Sequence, residues 1–207
     1  MRDLLPPTLL PEKGERLTRA VYRQDFRARS AALRNVDSWK LERLQHFEEQ
    51  GSPSRDALRR GDWESALRLL EDRREDLRAG AEEDARQGYR FHRVRVVQRP
   101  LTPYVQWELH SLRQRAEYGE RVHVVDAGQV APAERAGRLP ELVVLGGRTL
   151  FQVLYSDTGA SLGAIRYTDL DLVGSWESYI RRLSLEGDDI QAYFEREVAH
   201  LPPPATP

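Results

Sequence analysis

Between Arg90 and Val125 the chain reads R-F-H-R-V-R-V-V-Q-R-P-L-T-P-Y-V-Q-W-E-L-H-S-L-R-Q-R-A-E-Y-G-E-R-V-H-V-V. Two valine-rich runs bracket a stretch whose apolar residues recur at helical spacing. Phe91, Val94, Val96 and Val97 predict a strand that Pro100 stops. Thr102 followed by Pro103 is a strong helix start, with Thr at the N-cap and Pro at the first helical position. Val105, Leu109, Leu112 and Ala116 form the apolar stripe of that helix, which Tyr104 and Trp107 widen and Gly119 ends. Arg121–Val125 is a second strand. Strand, helix and strand in so short a span fit a βαβ crossover with the two strands parallel.

The sequence around this unit predicts an α+β fold: a helical N-terminal part, a small mixed sheet of about five strands, and C-terminal helices. Three further strands, Glu141–Leu145, Leu150–Tyr155 and Leu162–Tyr167, are separated by Gly146-Gly147 and Asp157-Thr158-Gly159 and predict an antiparallel meander. Leu172, Trp176, Tyr179, Ile180 and Leu183 share a helix face opened by Thr168 or Asp169, and a last helix carries Ile190, Tyr193, Phe194 and Val198. Toward the N-terminus, helices are expected over 13–34, 37–49 and 55–60, and from Trp63 after an Asp62 cap, with Gly80 a candidate break. In the 37–49 helix Asp37 or Ser38 would cap, and Trp39, Leu44 and Phe47 would be buried. Residues 1–12 read as an extended arm docked through Leu4, Leu5, Leu9 and Leu10. The expected organisation is a helical region over 1–88, a mixed α/β domain over 89–201 and a flexible tail over 202–207.

Composition removes several functions. The chain has 207 residues and no cysteine, which excludes disulfides, thiolate metal sites and cysteine nucleophiles. No apolar run approaches the roughly 20 residues of a membrane span, and the start is too short in apolar residues for a signal peptide, so a cytoplasmic protein is expected. Net charge is −1, but residues 1–60 lean basic and 101–207 lean acidic. A nucleic-acid partner would therefore sit on the N-terminal part.

Few residues carry recognisable chemistry. Arg16, Arg19, Arg23, Arg27 and Arg34 fall on one side of the expected 13–34 helix, away from the apolar residues. Such a stripe either contacts phosphates of DNA or RNA or is a solvated face paired with acids elsewhere. No helix-turn-helix pair or base-reading Asn or Gln set accompanies it. The five histidines, His46, His92, His110, His123 and His200, share no metal-binding spacing, so no metal site and no cofactor are expected. His92 and His123 sit on the two neighbouring strands and, with Glu108, are the candidates for an acid–base cluster, against a plain structural role. Glu108, one turn from Tyr104, reads otherwise as polar surface. The ends of the strands near Arg99, Tyr104 and the 126–139 loop are where a mixed sheet would place a ligand pocket.

Several segments in fixed order carry a resemblance: V94-R-V-V-Q-R-P-L-T-P-Y104, W107-E-L, Gly119-Glu120 before V122-H-V-V125, E141-L-V-V-L-G-G-R-T-L-F-Q-V-L-Y155, D157-T-G-A-S-L-G-A164 and the helix around Trp176. From about Tyr89 to Leu183 the chain resembles an uncharacterised actinobacterial family known only as a domain of unknown function. Its members often stand beside small helix-turn-helix regulators, which implies a regulatory or partner-binding role. The strand, meander and Trp-containing helix also look like half of a phospholipase D-type domain, but His92 is followed by Arg93 and Val94, so that superfamily's H-x-K signature is missing. The leading expectation is a non-enzymatic regulatory or protein-interaction module with a protein partner, a helix-turn-helix regulator being the one the resemblance implies. The alternatives are a nucleic-acid-binding protein using the arginine face and a degenerate phosphodiesterase or nuclease. Self-association stays open, and no membrane partner is expected.

Overall fold

A computed structural model describes residues 5–205. Its centre is one mixed sheet of eight strands. In chain order the elements are β1 (Glu15–Thr18), α1 (Arg19–Ala31), β2 (Asp37–Glu42), α2 (Pro53–Arg59), α3 (Trp63–Glu71), α4 (Arg74–Gln87), β3 (Arg90–Val97), α5 (Pro103–Glu117), β4 (Arg121–Asp126), α6 (Ala127–Val130), β5 (Leu142–Leu145), β6 (Thr149–Tyr155), β7 (Ser161–Tyr167), α7 (Leu170–Glu186), β8 (Asp188–Asp189) and α8 (Ile190–Glu197). The spatial order is β1-β7-β6-β5-β2-β3-β4-β8.

β3–α5–β4 is a parallel crossover, with Val94 opposite His123 and Val96 opposite Val125. Thr102 caps α5 by accepting from Val105 N at 3.1 Å. β5, β6 and β7 form the antiparallel meander, and Asp169 and Asp189 cap α7 and α8. These elements follow the sequence reading, because their periodicity and turn chemistry are local.

Three strands do not. Residues 37–42 form β2, where a helix was expected. Trp39 and Leu41 point to one face, Ser38, Lys40 and Glu42 to the other. The segment has no β-branched residue, though Ser38 to Glu42 alternate polar with apolar, and it pairs in parallel with β3 and antiparallel with β5. Two ladders of hydrogen bonds at the middle of a sheet outweigh local helix propensity. The expected helix over 13–34 is likewise divided. β1 pairs with β7, and Thr18 caps α1, so the helix starts at Arg19. Gly163 on β7 has φ +137°, and a Cβ there would lie 2.2 Å from Leu17 O, so only glycine allows β1 to close on the sheet edge. β8 adds two residues beside β4. α4 runs through Gly80; the helical break falls instead at Asp72 and Arg73, between α3 and α4.

The central position of β2 means that strands from 1–88 and from 89–201 build the same sheet. One face is covered by α7. There Trp39, Leu41, Val94, Val96, Val125, Leu142, Val144, Leu150 and Ile165 pack against Val173, Trp176, Tyr179, Ile180 and Leu183. The other face carries two separate helical groups. α1 lies over β5–β7, with Tyr22 and Phe26 against Phe151. α2, α3, α5 and α8 lie over β3 and β4, around Val97, Trp107, Val122, Val124 and Phe194. From the arm, Leu9 packs against the α7 face, while Leu5 and Leu10 are exposed; Leu4 lies outside the described residues. Pro202 O in the tail accepts from Gln106 Nε2 at 2.8 Å. Among the described residues no helix is long and apolar enough to cross a membrane.

Candidate functional site

The gap between those two helical groups lies directly over β2. Where the second face would otherwise be apolar, the sheet floor carries Lys40 and Glu42 from β2 and Arg93 and Arg95 from β3, in register as opposed pairs. Above the floor is a cleft of about 360 Å³. Its walls come from α5, from Phe47 to Gln50, from Arg19 at the start of α1, from Arg73 at the α3–α4 junction, and from the β6–β7 turn. Gly159 shapes that turn. Its φ is +82°, a Cβ would lie 2.8 Å from His46 O, and its carbonyl accepts from Glu48 N at 2.9 Å.

The charges on the floor are paired in a chain. Glu42 receives Lys40 Nζ at 2.5 Å and Arg93 Nη1 at 2.5 Å. Arg93 Nε also donates to Glu120 at 2.5 Å. Arg95, with no exposed surface, donates from Nε to Glu108 at 2.7 Å and from Nη1 to Val96 O at 3.0 Å. Its Nη2 has no acceptor among the described residues. The hydroxyl of Tyr104 stands 2.7 Å from Glu49 and 3.1 Å from Glu108.

Burial would raise the Glu42 pKa, but Arg93, then Lys40 and Arg95, hold it well below the carboxylate range. For Glu108 burial wins: even against Arg95 it is pushed up to about 7, with Glu42 and Glu49 adding to the rise. Hydrogen-bond geometry agrees. Tyr104 has one hydroxyl proton, and its shorter contact is to Glu49, so a proton on Glu108 completes the second bond. Beyond the cleft, burial and Glu42 also push Glu141 up to about 7; its Oε1 accepts from Arg43 N and Leu44 N, and its Oε2 has no partner among the described residues.

The residues singled out from sequence are spread over the molecule. His92 and His123 lie on the α7 face. His92 stacks on Trp39 with ring centroids 4.0 Å apart and meets Asp37 at 3.2 Å; His123 contacts Ser184 at 2.9 Å. Burial lowers both pKa values. Glu108 is on the opposite face, so the sheet separates it from both histidines. It is also buried, not polar surface. Arg99 is tied to Glu197 at 2.5 Å and to Tyr193 at 3.3 Å, beside α8. Tyr104 is buried in the cleft network, so these two do not share a pocket. Of the arginine stripe, Arg19, Arg23 and Arg27 remain together on α1. Arg16 is on β1, opposite Ile165 and so on the α7 side of the sheet. Arg34 lies past the end of α1 and turns back to Ala31 O, Leu33 O and Gln87. Among the described residues no group of three or more His, Asp or Glu side chains could hold a metal ion.

The model of a domain of unknown function, DUF6879, matches residues 24–195. The chain belongs to that family. The match takes in β2 to β7, α7 and nearly all of the cleft; β1 and Arg19 precede it. No curated protein matches the chain. Within this DUF6879 domain, sequence reasoning missed Lys40, Glu42, Arg93 and Arg95 as site residues. The signal was there: two strands carry charge at alternating positions, basic and acidic on one, basic and basic on the other, while their intervening residues are apolar.

Proposed function

We propose that this DUF6879 protein is a non-enzymatic regulatory module that binds a small polar ligand in the cleft over β2 and responds by fixing α1 relative to α5. The observation that carries the reading is the cleft itself. Buried ion pairs contribute little net stability, since desolvation offsets their attraction. A sheet that gives up apolar contacts at its central strand for a chain of charges under an open cavity is better suited to recognition than to stability. A ligand there touches both helical groups of that face, which otherwise rest on separate strands. The carboxylates of Glu42, Glu49 and Glu108 are held by arginine, lysine or tyrosine, an arrangement that orients a ligand. The exposed side of α1 is then the surface that a protein partner reads. The setting implied by resemblance, actinobacterial genes beside small helix-turn-helix regulators, makes such a regulator the first partner to test.

The test is a thermal-shift screen of polar small molecules of both charge signs, run on the wild type and on Ser111→Trp, which plugs the cleft wall. A midpoint rise that the plug abolishes supports the reading. A screen in which no compound gives a plug-sensitive shift overturns it.

A second reading rests on its own observation. Arg23 and Arg27 are exposed on α1 and make no ion pair among the described residues. Contact with nucleic acid through Arg19, Arg23 and Arg27 predicts duplex binding that weakens steeply with salt. No binding at low salt would remove it.

A further inference from the structure

An inventory of the cleft's charges gives the sign of what it binds; this step rests on the ligand-binding reading above. Its lining holds four carboxyl groups. Glu42 is matched by Lys40 and Arg93, Glu48 by Arg59 at 3.3 Å, Glu49 by the Tyr104 hydroxyl, and Glu108 by Arg95. Every acid therefore has a partner within the fold, a cation for three of them and a neutral hydroxyl for Glu49. Not every arginine is so matched. Arg19 and Arg73 make no ion pair or side-chain hydrogen bond among the described residues, although both line the cleft. Arg115 reaches only Glu120, at 3.8 Å, and Glu120 is already held by Arg93 at 2.5 Å. Burial lowers the Arg115 pKa; Glu120 opposes this, Arg93 and Arg73 repel it further, and Glu49 opposes it least. Three guanidinium groups from α1, the α3–α4 junction and α5 thus converge on one cavity, where the acids nearest Arg115 are Glu120, held by Arg93, and Glu49, bonded to the Tyr104 hydroxyl. Like charges gathered this way repel one another, and an anion facing them relieves that repulsion.

We propose that the cleft binds an oxyanion with at least two negative charges, phosphate or carboxylate, clamped between Arg19, Arg73 and Arg115. Guanidinium groups suit both chemistries, because each presents paired N–H donors to two oxygens. The Ser111 hydroxyl on the same wall supplies a neutral donor. An anion so held links α1 to α5, which is the response the regulatory reading needs.

The experiment is titration calorimetry on the full chain with sodium pyrophosphate, sodium citrate and putrescine, all at one ionic strength set with sodium chloride. Pyrophosphate, citrate or both should bind, and Arg73→Gln and Arg115→Gln should each weaken binding about tenfold or more. Arg115→Lys should recover part of the loss, and Arg86→Gln, on the exposed side of α4, should change nothing. Binding of pyrophosphate alone assigns phosphate, and of citrate alone carboxylate. Circular dichroism on each variant separates lost binding from lost fold. If neither anion binds, or if binding survives both glutamine variants, the inference is overturned. Plug-sensitive binding of putrescine with neither anion would overturn the charge assignment while leaving the ligand-binding reading standing.

Discussion

The two faces of the sheet are built on different terms. Under α7 the floor is continuous: Val125 and Val94, Leu41 and Trp39, Val144 and Leu142, Leu150 and Ile165 follow one another across six strands. On the other face the apolar floor stops at β2. Val143 and Phe151 lie to one side, Val97 and Val122 to the other, with Lys40, Glu42, Arg93 and Arg95 between them. The same strands supply both faces by alternation, so the difference is not one of folding topology. It shows where burial drives the fold and where the fold supports a site.

The largest effect should come from breaking the α7 face. Trp176 is 1% exposed and packs edge-on against Tyr179 at 5.4 Å. Trp176→Ala should cost about 3–5 kcal/mol in urea unfolding. A loss below about 1 kcal/mol would mean that α7 is not the chief cover of the sheet.

The charged face should behave non-additively. Glu42→Gln leaves Lys40 and Arg93 without their shared anion, and removing one partner of a buried pair costs about 3 kcal/mol or somewhat more. Replacing Lys40→Met, Glu42→Leu and Arg93→Met together should cost less than Glu42→Gln alone, because the charges that stay keep a partner, Glu120 with Arg115 and Arg95 with Glu108. If the threefold variant is the less stable of the two, the charges are structural and the contrast between the faces fails.

The same contrast explains what could be read from sequence. β3–α5–β4, the meander, α7 and α8 were legible because caps, turns and apolar spacing are encoded within each segment. Thr102-Pro103 starts a helix in almost any context. β2 was not, since Asp37-Ser38-Trp39-Lys40-Leu41-Glu42 is locally compatible with a capped helix and becomes a strand only through β3 and β5 on either side. The site inherits that blindness. Glu108 and Tyr104 were visible as individual residues, but their partners Arg95 and Glu49 come from other segments. Arg93 and Arg95 alternate with Val94 and Val96 as the wet side of a half-exposed strand would, and the helices that bury Arg95 are remote in sequence. Arg16 and Arg34 joined the arginine stripe only on the assumption of one unbroken helix.

A subtler prediction concerns the proton on Glu108. Its folded pKa lies near 7, above its unfolded value of 4.5. Between those two pH values the folded state binds the proton and the unfolded state has released it. Stability from this group is therefore complete below about pH 4.5 and is lost as pH rises toward 7. The raised Glu141 titrates in the same direction. His110, lowered to about 4 by burial, acts oppositely: it costs stability as pH falls from about 6.5 to 4. The wild-type profile alone mixes these slopes, so the informative quantity is a difference. Glu108→Gln keeps a neutral group at all pH values and removes only the Glu108 component. Relative to wild type it should gain stability steadily from pH 4.5 to about 7 and level off above, by about 3 kcal/mol over the range. A difference that stays flat across that window would show Glu108 ionised throughout, held by Arg95 as an ordinary ion pair, and the cleft floor would then carry one more fixed negative charge.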